Sequence, residues 1–358
     1  MIHRSGIVRH SLTRIGVPAS MLDTSSHRIT VYRAEHAFPL SQTCTVEHSF
    51  LAYLRGRCRH LPQVTIGIGD DAAVIEAVQG QQIACVDQII DGVDFLSSEH
   101  RLADVGYKSV AINLSDIAAM GGTPTTALVS LSLPQRNSTR VAGEVYEGIL
   151  EAASQFNLAI AGGDISTYDG PLAISVTLLG YVEKDAAFLR TGAVEGDAIL
   201  VSGAVGGSIL GRHLRPKPRL SLAQRIRERV QVTAAIDISD GLSLDLDRLC
   251  AASGVGAELD TDRIPIHQDA HTLSATSGRT PFQHAWSDGE DFELLITMKQ
   301  EHADVLQQQQ LEVPLTQIGN IVGRTGLWKR EQGNLKRLSP QGYLHDSQKT
   351  EGSHHAGI

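Results

Sequence analysis

Apolar stretches of this chain repeatedly run up to an aspartate, usually beside glycine or serine. The cases are Gly69-Asp70-Asp71, Val86-Asp87, Ser115-Asp116, Gly163-Asp164, Asp237-Ile238-Ser239-Asp240-Gly241 and Asp288-Gly289-Glu290-Asp291. One such aspartate is a helix cap or a turn residue. A set of them beside buried segments is different, because carboxylates there are costly unless paired or bound to metal. Oxygen donors in this pattern suit a hard cation, Mg²⁺ first, bridging carboxylates to phosphate oxygens. The adjoining glycines let backbone N–H groups approach a phosphate and also permit tight turns. The chemistry indicated is metal-assisted handling of a phosphorylated ligand.

Composition agrees with that class and excludes others. A formal net charge of -9 argues against general nucleic-acid affinity but not against phosphate ligands held through a divalent metal. No apolar run approaches a membrane span, so a soluble chain is expected. Cys44, Cys58, Cys85 and Cys250 show no CxxC spacing, which fits a reducing cytoplasm. There is no GxxxxGK[ST] loop and no protein-kinase HRD and DFG set, and local signatures suggest neither a Ser-His-Asp nor a Cys-His arrangement. ATP, if used, is bound by a less familiar scheme.

The elements that must position the aspartates follow from periodicity. Helices are expected over Val46–Cys58, Ala103–Met120, Arg140–Phe156, Ser208–Leu214, Ser221–Val230, Leu242–Ser253 and Ala303–Gln310. Strands are expected over Val64–Ile68, Ala72–Ala77, Gln82–Asp87, Thr126–Leu133, Leu158–Ala161, Leu172–Val182, Asp197–Ser202, Ala234–Ile238 and Phe292–Thr297, with Thr316–Val322 as the last. Ala103–Met120 shows an apolar face through Val105, Ile112 and Ala119, and Gly121-Gly122 stops it. The alternation gives an α/β or α+β class in two domains, residues 43–183 and 184–346. Residues 1–42 read as a disordered or mis-called extension, and 347–358 as a polar tail.

Taken in order, these segments resemble the thiamine-monophosphate kinases, within the superfamily of aminoimidazole-ribotide (AIR) synthase, selenophosphate synthase and HypE. The carrying segments are Gly67–Val74, Tyr107–Gly121, Gly162-Gly163-Asp164, Leu189–Ala193, Arg215–Arg219, Ala235–Leu242 and Gly289–Leu294. The resemblance implies a two-domain AIR-synthase-like fold. It also implies a homodimer joined through the N-terminal sheets, with ATP and thiamine monophosphate as substrates and two or more Mg²⁺ ions. It implies direct in-line phosphoryl transfer giving thiamine diphosphate, with no covalent intermediate. By position it makes Asp71, Asp87, Asp116, Asp164, Asp237 and Asp240 metal ligands, and Tyr107, Gly163, Asp164, Arg190 and Ser239 nucleotide contacts. Asp240 and Arg190 would act at the reacting phosphoryl group, and Asp94, Glu290 and Pro340 would line the acceptor.

Three positions depart from the family pattern. Cys85-Val86-Asp87 stands where Ser-Thr-Asp is usual, removing a hydroxyl from the metal region. Asp94 replaces a histidine and would repel an acceptor phosphate unless a metal bridges them. Pro340 stands where an aromatic residue packs on the substrate ring. These changes leave open a related ATP-dependent enzyme with a different phosphorylated acceptor, or a non-catalytic nucleotide-binding paralogue.

Overall fold

A computed structural model of the chain describes residues 46–344, so the readings for 1–42 and 347–358 lie outside the described residues. The N-terminal half runs α1 (Val46–Arg57), β1 (Val64–Ile66), β2 (Val74–Ile75), β3 (Gln81–Ile90), α2 (Leu102–Ala119), β4 (Thr123–Pro134), α3 (Ser138–Gln155), β5 (Ala159–Tyr168) and β6 (Ala173–Val182). Strands β3, β6, β4 and β5 form a sheet in that order, with the β4–β5 pair parallel. Alternation fixes its two faces. Val129, Leu131, Ile174, Val176 and Leu178 point to one face, where α2 and α3 close a core with Leu114, Ile117 and Ile149. The opposite face carries the rows Val86–Thr177–Leu128–Gly162 and Gln88–Ser175–Ser130–Asp164, and none of these residues is buried.

The C-terminal half runs β7 (Ala198–Ser202), 3₁₀ turns at Ser208–Leu210 and Arg212–Leu214, α4 (Leu220–Arg227), β8 (Ala234–Asp237), α5 (Leu242–Ser253) and β9 (Gly256–Leu259). After a 3₁₀ turn at Thr261–Arg263 come α6 (Gln268–Ser277), α7 (Pro281–Ser287), β10 (Leu294–Met298), α8 (Gln300–Gln307), β11 (Leu315–Val322), β12 (Gly326–Glu331) and β13 (Asn334–Leu338). The sheet order is β13-β12-β9-β11-β7-β10-β8. Buried β7 shows how the sheet is used: Ile199 and Val201 pack with α5 and α7, while Ala198 and Leu200 pack with α4 and α8.

Helix α2 belongs to both halves. Its expected single apolar face is too narrow a description, since it is buried on all sides, Lys108, Ser109, Asn113 and Ser115 included. Ala118 and Ala119 sit in the core of the C-terminal half with Phe188, Leu222 and Ile226. Its end is a Schellman turn: Gly122 N–H donates to the Ile117 carbonyl (2.8 Å), Gly121 N–H to that of Ala118 (2.9 Å), and Gly121 is left-handed at φ 66°.

Several expected boundaries shift. The strand at Leu158–Ala161 continues through Gly163 and Asp164 to Tyr168, because its parallel pairing with β4 carries the glycines along. Strand β3 likewise passes Asp87 and ends at Ile90. Ala72–Ala77 shortens to a two-residue strand, Val74–Ile75. Ser208–Leu214 forms two 3₁₀ turns, since Gly207 and Gly211 at φ 73° and 124° break an α-helical path. Thr316–Val322 is followed by the β12–β13 hairpin.

Helices α2 and α3 touch backbone to backbone through two glycines. A Cβ on Gly148 would stand 1.7 Å from the Ala103 carbonyl oxygen, and one on Gly106 would stand 1.9 Å from that of Val145. Gly148→Ala is therefore expected to destabilise the protein by about 2 kcal/mol or more. Gly143→Ala, on the same helix with nothing within 4 Å of a new Cβ, should stabilise it by roughly 0.5–1 kcal/mol. Urea titrations of the two variants check this, and shifts in the same direction would contradict the packing described.

Candidate active site

The site forms where the end of α2, the middle of β3 and the end of β8 meet. Asp237 closes β8 at 3% exposure and accepts a 2.7 Å hydrogen bond from Ser115 Oγ. Asp116, next along α2, lies near enough to Asp237 to feel its charge, and near enough to Asp87 of β3 for the two carboxyls to share a proton. Arg190 supplies positive charge to both Asp116 and Asp237. A cavity of about 270 Å³ opens beside them, lined by Cys85, Asp116, Met120, Arg190, Ala235 and Asp237 among others.

Burial and mutual repulsion show in the proton affinities. Burial, then the charges of Asp237 and Asp87, push the Asp116 carboxyl up to about 8. Burial raises Asp237 to about 6, with the Asp87 charge adding to it and the Ser115 hydrogen bond and Arg190 opposing. Asp87 is raised by burial and, to a lesser extent, by Asp94, while its hydrogen bond with Asp116 pulls it down. Burial and the charges of Asp116 and Asp87 raise the neighbouring Cys85 thiol, so it is not a thiolate nucleophile. These are hard oxygen donors short of positive charge, which fits a divalent cation. Among the described residues, no three acidic, imidazole or thiol groups are drawn together as a finished metal cage.

The remaining expected site residues fall into three groups. Ser239, Asp240 and Pro340 lie together beyond β8. The Asp245 carboxylate, fully buried, accepts from the backbone N–H groups of Ser239, Asp240 and Gly241 at 3.1, 2.9 and 3.1 Å. Asp240 pairs with Arg248, and its carbonyl accepts from Tyr343 N–H at 2.9 Å. Pro340 sits in the strap between Ser339, which accepts from Trp286 Nε1, and Gln341, which is bound to Ser243.

Glu290 and Asp94 are joined by Lys108. Its ammonium donates to the Asp94 carbonyl at 2.8 Å and pairs with Glu290 Oε1 at 2.5 Å. The Asp94 carboxylate has a local partner. Its Oδ2 accepts from Ile90 N–H at 2.7 Å, closing the turn after β3.

Four expected residues stand apart from the carboxylate cluster. Asp71 is exposed in the loop after β1, its N–H bound to Asp70. Asp164, with Gly163 before it, lies three strands from β3, about 14 Å at the usual strand spacing. By alternation it also points to the uncovered face, whereas Asp87 points toward α2. Val86, 61% exposed, shares that uncovered face, so its missing hydroxyl is lost there and not beside Asp116. Tyr107 is buried between α2 and α3, donating to Gln155 at 3.1 Å under the Arg215 guanidinium.

Sequence reasoning passed over Lys108, Ser115, Asp245 and Arg248 as site residues. Asp245 sits one turn into a helix after Asp240-Gly241, where an acid reaching back to loop N–H groups is a readable signal. Lys108 gives no such signal, because its burial comes from long-range packing.

Comparison with known proteins agrees with this arrangement. The family described as AIR synthase related protein, N-terminal domain, matches residues 69–182, and its C-terminal counterpart matches 186–327. A thiamine-monophosphate kinase of Rhodopirellula baltica is 59% identical over 84% of this chain and 97% of its own length. A crystal structure of thiamine-monophosphate kinase from Stenotrophomonas maltophilia superposes with a TM-score of 0.70 at 32% identity, covering 80% of this chain and 96% of that one. A structure of AaThiL complexed with AMPPCP and TMP gives 0.67 at 30% identity, covering 78% and 92%. With its two AIR-synthase-like domains and its identity to these enzymes over most of their length, this chain belongs to the thiamine-monophosphate kinase family.

Proposed function

We propose that this chain transfers the γ-phosphoryl group of ATP to the phosphate of thiamine monophosphate, giving thiamine diphosphate. The observation that carries the reading is the partly buried Asp87–Asp116–Asp237 cluster, of which Asp116 and Asp237 line, with Arg190, a cavity between the two halves. In a family member it is the place suited to the triphosphate. The related AaThiL structure, which holds AMPPCP and TMP, supports the choice of substrates.

Asp87, Asp116 and Asp237 would hold Mg²⁺, with Asp240 close behind them on the loop after β8. Bound there, the metal supplies charge neutralisation between the carboxylates and the phosphate oxygens. The protein's own groups do the rest. Arg190 lies at the cavity wall, where its guanidinium can stabilise charge on the transferred phosphoryl group. Ser115 holds Asp237 in orientation, and Asp245 with Arg248 fixes the Ser239–Gly241 loop. The acceptor phosphate is already a nucleophile, so in-line attack needs positioning and no histidine base or covalent intermediate.

Asp164 enters this reading through a second copy. The uncovered sheet face carries Val86, Leu128 and Asp164, and a homodimer formed through that face would cover it. Asp164 of the partner subunit would then complete a site that this chain leaves open.

Three outcomes check the reading. Purified protein with ATP, Mg²⁺ and thiamine monophosphate is expected to form thiamine diphosphate, and absence of product at high enzyme concentration would sink the assignment. Asp116→Asn and Asp164→Asn chains, each inactive alone, should regain about a quarter of wild-type activity when mixed and allowed to exchange subunits, since half the dimers then carry one intact site. No recovery would place Asp164 in the same chain's site or outside it.

The third outcome is a pH dependence. The Asp116 carboxyl sits near 8 in the fold against 3.8 for the ordinary side chain. The native state thus keeps a proton that the unfolded chain releases. Its contribution is complete below about pH 4 and is lost as pH rises toward and through 8, by at most about 1.4 kcal/mol per pH unit. With chelator present, wild-type stability should fall across that window, and Asp116→Asn should flatten the fall. An unchanged slope in urea titrations would contradict it.

A further inference from the structure

The segment Asp288–Glu293 carries four acids, and each has its own cation. Asp288 pairs with Arg279 at 2.9 Å and is hydrogen-bonded to His284 at 2.8 Å, Asp291 pairs with Arg212 at 3.1 Å, and Glu293 with Arg219. Those cations all come from the C-terminal half. Glu290 differs, because its partner, Lys108, belongs to α2 and comes from the N-terminal half.

The two members of that pair are placed very differently. The Lys108 side chain is 1% exposed, whereas that of Glu290 is 35% exposed, against 0% for Asp291 and 5% for Glu293. Glu290 is thus the most exposed of the four acids, while a buried ammonium holds one of its oxygens. Its backbone is left-handed at φ 60°, and Phe292 follows at 51°. Such a conformation persists only where neighbours over-determine it. Here the neighbours are Lys108 on the side chain and the Ser239 carbonyl, which accepts from Glu290 N–H at 2.7 Å. Lys108 also grips the Asp94 carbonyl, so one ammonium ties the turn after β3 to the Glu290 loop. His213 adds no positive charge near neutral pH, since burial and the charge of Lys108 lower it to about 4. Asp240, which also acts on Glu290, is paired with Arg248, so Lys108 faces the two further acids Asp94 and Glu290 and this end of the cleft is acidic.

We propose that Lys108 is a positioning residue for the acceptor: by bridging the Asp94 carbonyl to Glu290 it fixes the acceptor end of the cleft and leaves that end suited to a cationic ring. This rests on the reading of Glu290 as an acceptor contact. Thiamine monophosphate carries a permanent thiazolium charge, which matches the residual negative charge, while its phosphate goes to the metal-binding carboxylates. Asp94 in place of a histidine then adds to the attraction for the ring and does not meet the phosphate.

The test uses Lys108→Met, Glu290→Gln and the double variant in the full chain, with Lys108→Arg as the charge-keeping change. Steady-state KM for thiamine monophosphate and for ATP is measured separately, along with Tm. Lys108→Met and Glu290→Gln should each raise the acceptor KM about tenfold or more and leave the ATP KM within about twofold. The double variant should be no worse than the poorer single, and Lys108→Arg should fall between Lys108→Met and wild type. A Lys108→Met enzyme that changes both KM values alike, or neither, overturns the proposal. If Lys108→Met does not fold, Lys108→Arg decides: an acceptor KM raised about threefold or more at constant ATP KM supports positioning, and an unchanged acceptor KM overturns it. If wild-type protein shows no turnover of thiamine monophosphate, it is the functional reading that fails. The bridge is then judged by Tm alone, where a double variant losing less than the sum of the singles supports it and strict additivity overturns it.

Discussion

Three carboxylates share a small, partly buried volume between two halves of this molecule, and that repulsion is the constraint the rest of the structure answers. Asp87, Asp116 and Asp237 come from a strand, a helix and a second strand that no local interaction would bring together. Burial and mutual repulsion raise their proton affinities, and Arg190 and Ser115 offset this only in part. Groups kept in so unfavourable a state mark a site awaiting positive charge.

Helix α2 delivers the solution. An all-round buried helix is normally apolar, yet α2 carries polar residues and nearly all of them are engaged. Ser109 and Asn113 bond back to α2's own carbonyls, at 2.8 and 3.0 Å. Ser115 orients Asp237, Asp116 joins the cluster, and Lys108 reaches Asp94 and Glu290. The glycines at 106 and 148 let α3 approach closely enough to hold α2 in place. Arg215 adds a tie from the other half, stacking on Tyr107 and pairing with Asp104 at 2.9 Å. Rigid placement of Asp116 and the Lys108 ammonium on a single helix fixes the spacing between the carboxylate cluster and the Asp94–Glu290 contact.

What was legible in the sequence followed from local rules. Asp116 and Asp237 could be read because an acid directly after an apolar run is costly wherever the run is buried. The end of α2 could be read because Gly121-Gly122 is a helix stop in any context. Long strands such as β4 and β6 announced themselves by alternation. The hairpin β12–β13 did not, because its exposed edge strand carries Lys336 and Arg337, charges that blunt an edge and mask its period. The placement of Asp164 was hidden for another reason. Which face of a sheet a residue takes depends on register with its neighbours, and register is a property of the assembled sheet. Lys108 was hidden by the same kind of non-locality: a lysine between Tyr107 and Ser109 looks solvated until the second half of the chain packs over it.

The central claim is that Asp87, Asp116 and Asp237 are held together to bind a divalent cation with the nucleotide. The most direct measurement is anomalous diffraction from crystals grown with Mn²⁺ in place of Mg²⁺ and a non-hydrolysable ATP analogue. The account predicts a manganese peak among these three carboxylates, with the triphosphate running past Arg190. Nucleotide bound in the cleft with no manganese on any of the three would contradict it.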